Sequence, residues 1–554
     1  MRLIRTAICL LALTLFSAST NHAQKPSDDS ATDGKNAPHQ KLLIIADNQE
    51  HLLTGVPLTA NSSRTDRIIT SVARRSPLAN VGGRLLFREA IRFGIREGAG
   101  LVLHLGDAAD LSCPDELSAV FEALDKEAKD IWFMTPGNHD GIQVGNYVKD
   151  QPAFDYDLKD HPKVYETAPV EKFTSVPEAW LNACLSPKYL KEHSSGPARN
   201  AVLTRGDVIR RYVEMLKIRK RRWPVDREER EPREVWIADT KVTCEVEKLT
   251  IKYPNYTYTA IASICPAKPV DGDPKNRWVG PYASFIVQRL DVGKTRILML
   301  DTSDYEKPWV RNVAFKGDLT VAQQDVADEL LELEKIGRKN VIAIGHHPLA
   351  VFPRKLRGWI VERAGRYISA HVHGSASLIN HGNKILKTVE LNVGSTLDYP
   401  PQAVVAKIGP DAMEFRVAGA QTGWPGFLAP CEIERNRDRW KRPLSTFYRD
   451  YRRDLYSKHL LESLRVAANV APSGQALKIP TGTNSSDWLL LEEALQTINA
   501  AEGESRIFWA CQAYYASKAT KDEKSWWERV PKFGTGFQRG KDVTTGGWRT
   551  LTSP

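Results

Sequence analysis

Short apolar runs that stop abruptly at polar residues dominate this chain. Leu42 to Ala46 runs into Asp47, Leu101 to Leu105 into Gly106 and Asp107, and Ile131 to Met134 leads to Gly137, Asn138 and His139. Short, nearly unbroken runs read as buried strands. Between the first two, Leu85, Leu86, Ala90, Ile91 and Ile95 recur at helical spacing within Gly82 to Gly98. Between the second and third, Leu117, Val120, Phe121 and Leu124 mark a helix within Pro114 to Lys129. Strand, helix, strand, helix, strand predicts an α/β layer with functional groups gathered at the C-terminal ends of its strands. The pattern returns far downstream, where Arg296 to Leu300 precedes Asp301. A helix is predicted over Thr320 to Lys335, and a strand from Asn340 to Ile344 enters Gly345-His346-His347-Pro348. Tyr367 to Ala370 precedes His371-Val372-His373, and Thr388 to Val393 precedes Gly394-Ser395.

Between the two halves, Val148 to Trp278 breaks the alternation and reads as an insertion or a set of long loops. It holds Arg219-Lys220-Arg221-Arg222-Trp223, an anion-recruiting patch or, more plainly, a solvated basic face neutralised by Glu228, Glu229, Glu231 and Glu234. From residue 419 to 554 the composition changes: Trp424, Trp440, Trp488, Trp509, Trp526, Trp527 and Trp548 make up half of the 14 tryptophans. Helical spacing over Leu444 to Ala468, Ser486 to Ala500 and Ser505 to Lys518 predicts a mainly helical C-terminal region, its tryptophans serving packing before stacking platforms. At the other end, basic Met1 to Arg5, apolar Thr6 to Ala18 and a polar close at Ala23 form a signal-peptide pattern, residues 1–23. The apolar run falls short of the roughly 20 residues a membrane span takes. The expectation is an exported protein, periplasmic or secreted, with no stable membrane span after cleavage. Residues 24–40 read as a flexible leader and 41–418 as the α/β domain.

Composition narrows the class. With 554 residues, 42 % hydrophobic and 26 % charged, the chain is outside the disordered, fibrous and multi-span membrane classes. The formal charge of +10 favours anionic partners in general. No nucleic-acid recognition module is visible, so the expected partner is a phosphorylated substrate rather than nucleic acid. Beyond Ala23 the cysteines are Cys113, Cys184, Cys244, Cys265, Cys431 and Cys511. None forms a CxxC pair, and an even count in an exported chain fits disulfides, with Cys244 and Cys265 the first candidate pair; isolated buried thiols are the alternative. No GxSxG elbow points to serine hydrolase chemistry.

Singly, each polar strand end has a structural explanation: Asp47 could cap a helix, Asp107 could close a turn, and a histidine is more often a hydrogen-bonded structural residue than a ligand. Jointly, Asp47-Asn48-Gln49, Gly106-Asp107-Ala108-Ala109-Asp110, Gly137-Asn138-His139-Asp140, Gly345-His346-His347-Pro348 and His371-Val372-His373 place carboxylate, amide and imidazole at five strand ends. Mixed oxygen and nitrogen donors suit manganese, iron or zinc. One carboxylate can bridge two such cations, which then lower the pKa of a shared water and receive phosphoryl oxygens.

This ordered set resembles the calcineurin-like metallophosphoesterase superfamily, whose pattern runs DxH, GDxxD, GNH[DE], H, GHxH. The resemblance covers Lys41 to Val417, with Val148 to Trp278 poorly matched. It implies a four-layer α/β/β/α fold and hydrolysis of a phosphomonoester or phosphodiester by attack of a metal-bridging hydroxide. It further implies two divalent or trivalent metal ions, manganese, iron or zinc. Asp47, Gln49, Asp107 and His373 would hold the first, and Asp107, Asn138, His346 and His371 the second, with His139 as the catalytic imidazole. His346 is preferred to His347 because it precedes Pro348 by two. Gln49 stands where the pattern has His, a poorer ligand, and Ala370 where it has Gly; His51 is a remote substitute for the missing imidazole. The alternative is therefore a weakened member acting as a binding or scaffold protein. No motif specifies the substrate or the oligomeric state.

Overall fold

Strands form where the apolar runs lie, because only paired backbone lets such runs be buried on both faces. In the computed structural model these are β1 (Gln40–Ile45), β2 (Leu101–His104) and β3 (Trp132–Met134), with helices α1 (Pro77–Arg96) and α2 (Pro114–Ala128) between them. Next come α3 (Arg205–Ile218), β4 (Val225–Ile237), β5 (Thr240–Lys252), β6 (Thr257–Ile264), the two-residue strands β7 (Lys268–Pro269) and β8 (Trp278–Val279), β9 (Phe285–Val292) and β10 (Thr295–Leu300). Then follow α4 (Val321–Leu331), α5 (Leu333–Ile336), β11 (Val341–Gly345), α6 (Arg354–Arg363), β12 (Arg366–Ser369), β13 (Ser377–Gly382) and β14 (Lys387–Asn392). The last elements are β15 (Gln402–Ile408), β16 (Ala412–Gly419), α7 (Gly503–Asp522), β17 (Lys541–Asp542) and β18 (Arg549–Thr552). The structure describes residues 40–50, 77–110, 112–141, 203, 205–219, 223–237, 240–265, 268–269, 278–279, 284–303, 317–382, 385–398, 401–409, 412–419, 494, 497–522, 541–543 and 548–552. The signal-peptide and leader expectations, His51 and Asp304 to Lys316 lie outside these residues, as do most of the helices expected beyond residue 419.

Two mixed sheets carry the fold. The first runs β18-β16-β15-β1-β2-β3 and the second β17-β13-β14-β12-β11-β10-β9-β6-β5-β4. β1, β2 and β3 are mutually parallel, as are β10, β11, β12 and β14. Alternation in the second sheet sorts side chains to two cores. Ile297, Met299, Ile342 and Ile344 join the buried cluster that includes Leu42 to Ile45 and the first sheet, whereas Leu298, Leu300, Val341 and Ala343 join Ala327, Leu330, Leu356 and Ile360 of α4 and α6. Helices α1, α2 and α7 pack with the first sheet's cluster. The order helix, sheet, sheet, helix is the four-layer α/β/β/α arrangement.

Two regions differ from the sequence reading in a physically clear way. The 148–278 interval supplies α3 and strands β4, β5 and β6, and β6 pairs antiparallel with β9, so part of it widens the second sheet. Its long hairpin is charged on both faces and is laced by pairs such as Arg227–Glu247 at 2.7 Å, which hides the hydrophobic period of a strand. Arg219 is buried, with its guanidinium 4.7 Å from the Trp132 ring, not solvated. β5 and β6 set Cys244 beside Cys265, and the two form a disulfide; Cys113 and Cys511 are disulfide-bonded as well. In the C-terminal region α7 buries Trp509, while β17 and β18 close one edge of each sheet. The helix expected over Thr320 to Lys335 breaks at Glu332, which takes φ of 44°. Among the described residues no helix is long and apolar enough to cross a membrane.

Helix α7 meets α1 at Gly82, where a Cβ would sit 2.4 Å from Cβ of Ala513 and 3.0 Å from the Trp509 carbonyl oxygen. Gly82→Ala gains about 1 kcal/mol of helix propensity but forces apart a contact with no flexible end, an overpacking cost of about 1–3 kcal/mol. The expected outcome is net destabilisation in denaturant unfolding. Ala513→Gly in the same chain should cost less than it does alone, and strict additivity of the two changes would contradict this packing.

Candidate metal centre

The site begins with two loops that keep pairing after their strands end. Beyond β1, the N–H groups of Asp47, Gln49 and Glu50 donate to the carbonyls of Gly106 (3.1 Å), Asp107 (2.9 Å) and Ala108 (2.8 Å) beyond β2. A third loop, beyond β3, closes on the second at two glycines. Gly106 has φ of 94°, and a Cβ on it would lie 2.5 Å from the Gly137 nitrogen; a Cβ on Gly137 would lie 2.2 Å from Asp107 Oδ1. Asp140 locks this approach, its carboxylate accepting from the N–H groups of Gly137 (2.9 Å), Ala109 (2.9 Å) and Ala108 (3.2 Å). Among the described residues eight non-glycine residues have positive φ, and five of them are Asp47, Gln49, Asp107, His371 and His373. Backbone strain is thus concentrated on the residues singled out for metal chemistry.

The second sheet delivers imidazoles to the same place. His346, beyond β11, donates from Nδ1 to the Leu105 carbonyl at 2.9 Å. Its Nε2 faces Asn138 Oδ1 at 3.0 Å, His371 Nδ1 at 3.1 Å and Asp107 Oδ2 at 3.3 Å. His371 N–H donates to Asp47 Oδ2 at 3.1 Å, and His373 Nε2 lies 3.3 Å from Asp47 Oδ1. His373 Nδ1 hydrogen-bonds the Asp398 carboxylate. His139 donates from Nδ1 to the Asp110 carbonyl at 2.7 Å, leaving Nε2 3.9 Å from Asp107 Oδ2, and its side chain keeps 17 % exposure. Gln49 presents its amide N–H to Asp107 Oδ2 at 3.1 Å, so ligation through its oxygen takes a flip of the amide. His347 hydrogen-bonds Thr302 through Nδ1 and joins His346 and His371 in a second group of convergent donors.

These residues fit a cation. Ligands at 2.0–2.2 Å from one metal stand about 3–3.5 Å from each other at a tetrahedral or octahedral edge, and the contacts around His346 Nε2 span 3.0 to 3.3 Å. Asp47, Asp107 and His346 form one group of potential ligands and His346, His347 and His371 another. Asp47 Oδ1 is buried without a hydrogen-bond partner. Electrostatics agree: burial opposes charge on His346, yet Asp107 and Asp47 raise it to about 9, and burial opposes charge on His373, yet Asp47 and Asp398 raise it to about 10. Burial works against ionisation of Asp107 too, but His346 and His139 hold its carboxyl well below the usual range. The cluster therefore demands positive charge among its acceptors.

Three participants were given no role at the site by the sequence reading. Asp398 and Ser395 follow β14; the Ser395 hydroxyl donates to the Asp47 carbonyl at 2.7 Å and accepts from the Asp398 N–H at 2.9 Å. His104, the last residue of β2, is fully buried; its Nε2 donates to Asn48 Oδ1 at 2.7 Å and its Nδ1 accepts from Gly106 N–H at 3.2 Å. The signal was a polar residue inside an apolar strand. Burial, against a smaller opposing pull from Asp47, lowers His104 to about 4. The unfolded chain binds this proton first, so the contribution is present above pH 6.5 and lost as pH falls toward 4. Between pH 7 and pH 4, His104→Gln should flatten the acid loss of unfolding free energy by about 3 kcal/mol relative to wild type, read by denaturant titration at each pH. Parallel curves would show that His104 does not titrate this way.

No curated protein matches the chain closely enough to serve as a relative. The family model described as calcineurin-like phosphoesterase matches residues 41–271. That range holds Asp47, Gln49, Asp107, Asn138 and His139, while His346, His371 and His373 reach the same cluster from beyond it. Over residues 41–271 the chain is thus similar to the calcineurin-like phosphoesterases, and the two-sheet fold is consistent with that match.

Proposed function

We propose that the protein is an exported, metal-dependent hydrolase of phosphomonoesters or phosphodiesters. The observation that carries this is Asp107 Oδ2, 3.3 Å from His346 Nε2, between the Asp47 and Asn138 sides of the cluster. In this reading Asp47, Gln49, Asp107 and His373 hold one cation and Asp107, Asn138, His346 and His371 the other, with manganese, iron or zinc suited to the donors. Bound there, such cations supply Lewis acidity and an activated water. The protein's own work is to fix the donors, through Leu105 O on His346 and Asp398 on His373, and to move a proton. His139 does the latter: its Nδ1 is held by Asp110 O, so its Nε2 faces the site and protonates the leaving oxygen. The signal-like Met1 to Ala23 segment and the disulfides support export to an oxidising compartment.

Protein from Gln24 onward, reconstituted with manganese, zinc or iron, should hydrolyse a p-nitrophenyl monoester or diester. Asp107→Asn should abolish turnover, and His139→Ala should lower kcat by about 10²- to 10⁴-fold with the thermal transition nearly unchanged. Unchanged turnover in both variants would sink the proposal. The second reading, a weakened member acting as a binding or scaffold protein, is favoured by the amide N–H that Gln49 turns toward Asp107. It expects clearly fewer than two cations per chain by elemental analysis and no turnover with any metal.

A further inference from the structure

Arg205 opens α3, in phase with the buried stripe Val208, Ile209, Tyr212, Val213 and Leu216, so helical periodicity carries its side chain inward. Its guanidinium is 1 % exposed. From there Nη2 donates to the Gly137 carbonyl at 3.1 Å, and Nη1 lies 3.6 Å from Asp301 Oδ1 at the end of β10. Gly137 belongs to the loop that carries Asn138 and His139 from the first sheet; Asp301 belongs to the second. Nε and Nη1 of Arg205 and Oδ2 of Asp301 are buried without hydrogen-bond partners. A charge pair desolvated to this extent and incompletely hydrogen-bonded is a poor source of stability compared with an apolar pair of the same size. Its geometric effect is specific, because the guanidinium holds the one carbonyl that the Asp140 N–H also uses to close the turn.

We propose that Arg205, with Asp301 as its charge partner, is a positioning residue that holds the Gly137–His139 turn in register with the second sheet. It rests on the phosphoesterase reading for its consequence, the placement of Asn138 and His139, but the turn can be read without turnover. The Gly137, His139, Asp140 and Gly141 amides are all hydrogen-bonded, to Asp140 Oδ2, Asp107 Oδ1, Gly137 O and Ser112 Oγ. Their exchange with deuterium therefore reports the turn directly.

The test compares Arg205→Lys, Arg205→Met and the double variant Arg205→Met with Asp301→Asn, which leaves no uncompensated buried charge and so keeps a folded protein available. In metal-free protein the double variant should show about tenfold faster exchange at residues 137–141 while β2 and β3 stay protected. Manganese titration by calorimetry should show one of two sites weakened by about 10- to 100-fold. Where wild type turns over, kcat should fall with KM little changed, and Arg205→Lys should restore part of it. A folded double variant with wild-type exchange in the turn overturns the proposal. So does exchange that rises uniformly across both sheets, which marks a merely structural role. Wild-type protein that hydrolyses no phosphoester would count against the phosphoesterase reading instead, and the exchange measurement would still decide this one.

Discussion

Everything at this site follows from the contact between Gly106 and Gly137, which lets two loops close around the carboxylate of Asp107. With a Cβ on either glycine the neighbouring backbone would be met at 2.5 Å or less, so no other residue permits the approach. The approach in turn makes a buried anion tolerable. A carboxylate stripped of water costs several kcal/mol unless donors or cations surround it, and Asp107 receives His139 N–H at 2.9 Å and Gln49 Nε2 at 3.1 Å. Parallel adjacency of β1, β2 and β3 supplies these donors, because parallel strands deliver all their following loops to one end of the sheet.

The imidazoles come from the other sheet, so the distance between sheets has to be as well defined as the loops themselves. Fixed polar contacts span that gap. β3 is the edge strand of its sheet, and ladder groups at its open edge are met by α3 and by β9 of the second sheet: Met134 N–H donates to Tyr212 Oη at 3.0 Å, and Gln288 Nε2 donates to Met134 O at 2.8 Å. Thr135 Oγ1 donates to Leu300 O at 2.7 Å, joining the ends of β3 and β10 directly. Apolar packing alone tolerates sliding, whereas buried hydrogen bonds of this kind specify one register.

What was legible in the sequence has a physical cause, and so does what was not. Strands buried on both faces leave unbroken apolar runs, so β1, β2, β10, β11 and β12 stood out, and the polar residues closing them marked the ligand cluster. β4 and the middle of β5 left no such trace, since their charged side chains pair with one another as ions and interrupt the apolar residues, such as Leu249 and Ile251, that β5 gives to the core. Short strands such as β17 and β18 are held by backbone ladders to existing edges, which composition does not record. Asp398 and Arg205 act through partners 25 and 68 residues away, and no local period encodes such pairs.

The departure at Gln49 looks different once Asp398 and Ser395 are in place. In the proposed ligand set an amide oxygen of Gln49 would donate to a cation less strongly than an imidazole, so the Asp47 side of the cluster would begin with a deficit. On that same side, Asp398 hydrogen-bonds Nδ1 of His373, and a carboxylate in this position raises the basicity of the opposite ring nitrogen. Nε2 of His373 is that nitrogen, 3.3 Å from Asp47 Oδ1. Ser395 then makes the support rigid, donating to the Asp47 carbonyl while accepting the Asp398 N–H, so that carboxylate, imidazole and supporting carboxylate are set by one hydroxyl. The imidazole on the Asp47 side of the cluster is thus the one with a carboxylate behind it, and the loop after β14 belongs to the site's electrostatics as much as the motif that bears the histidines.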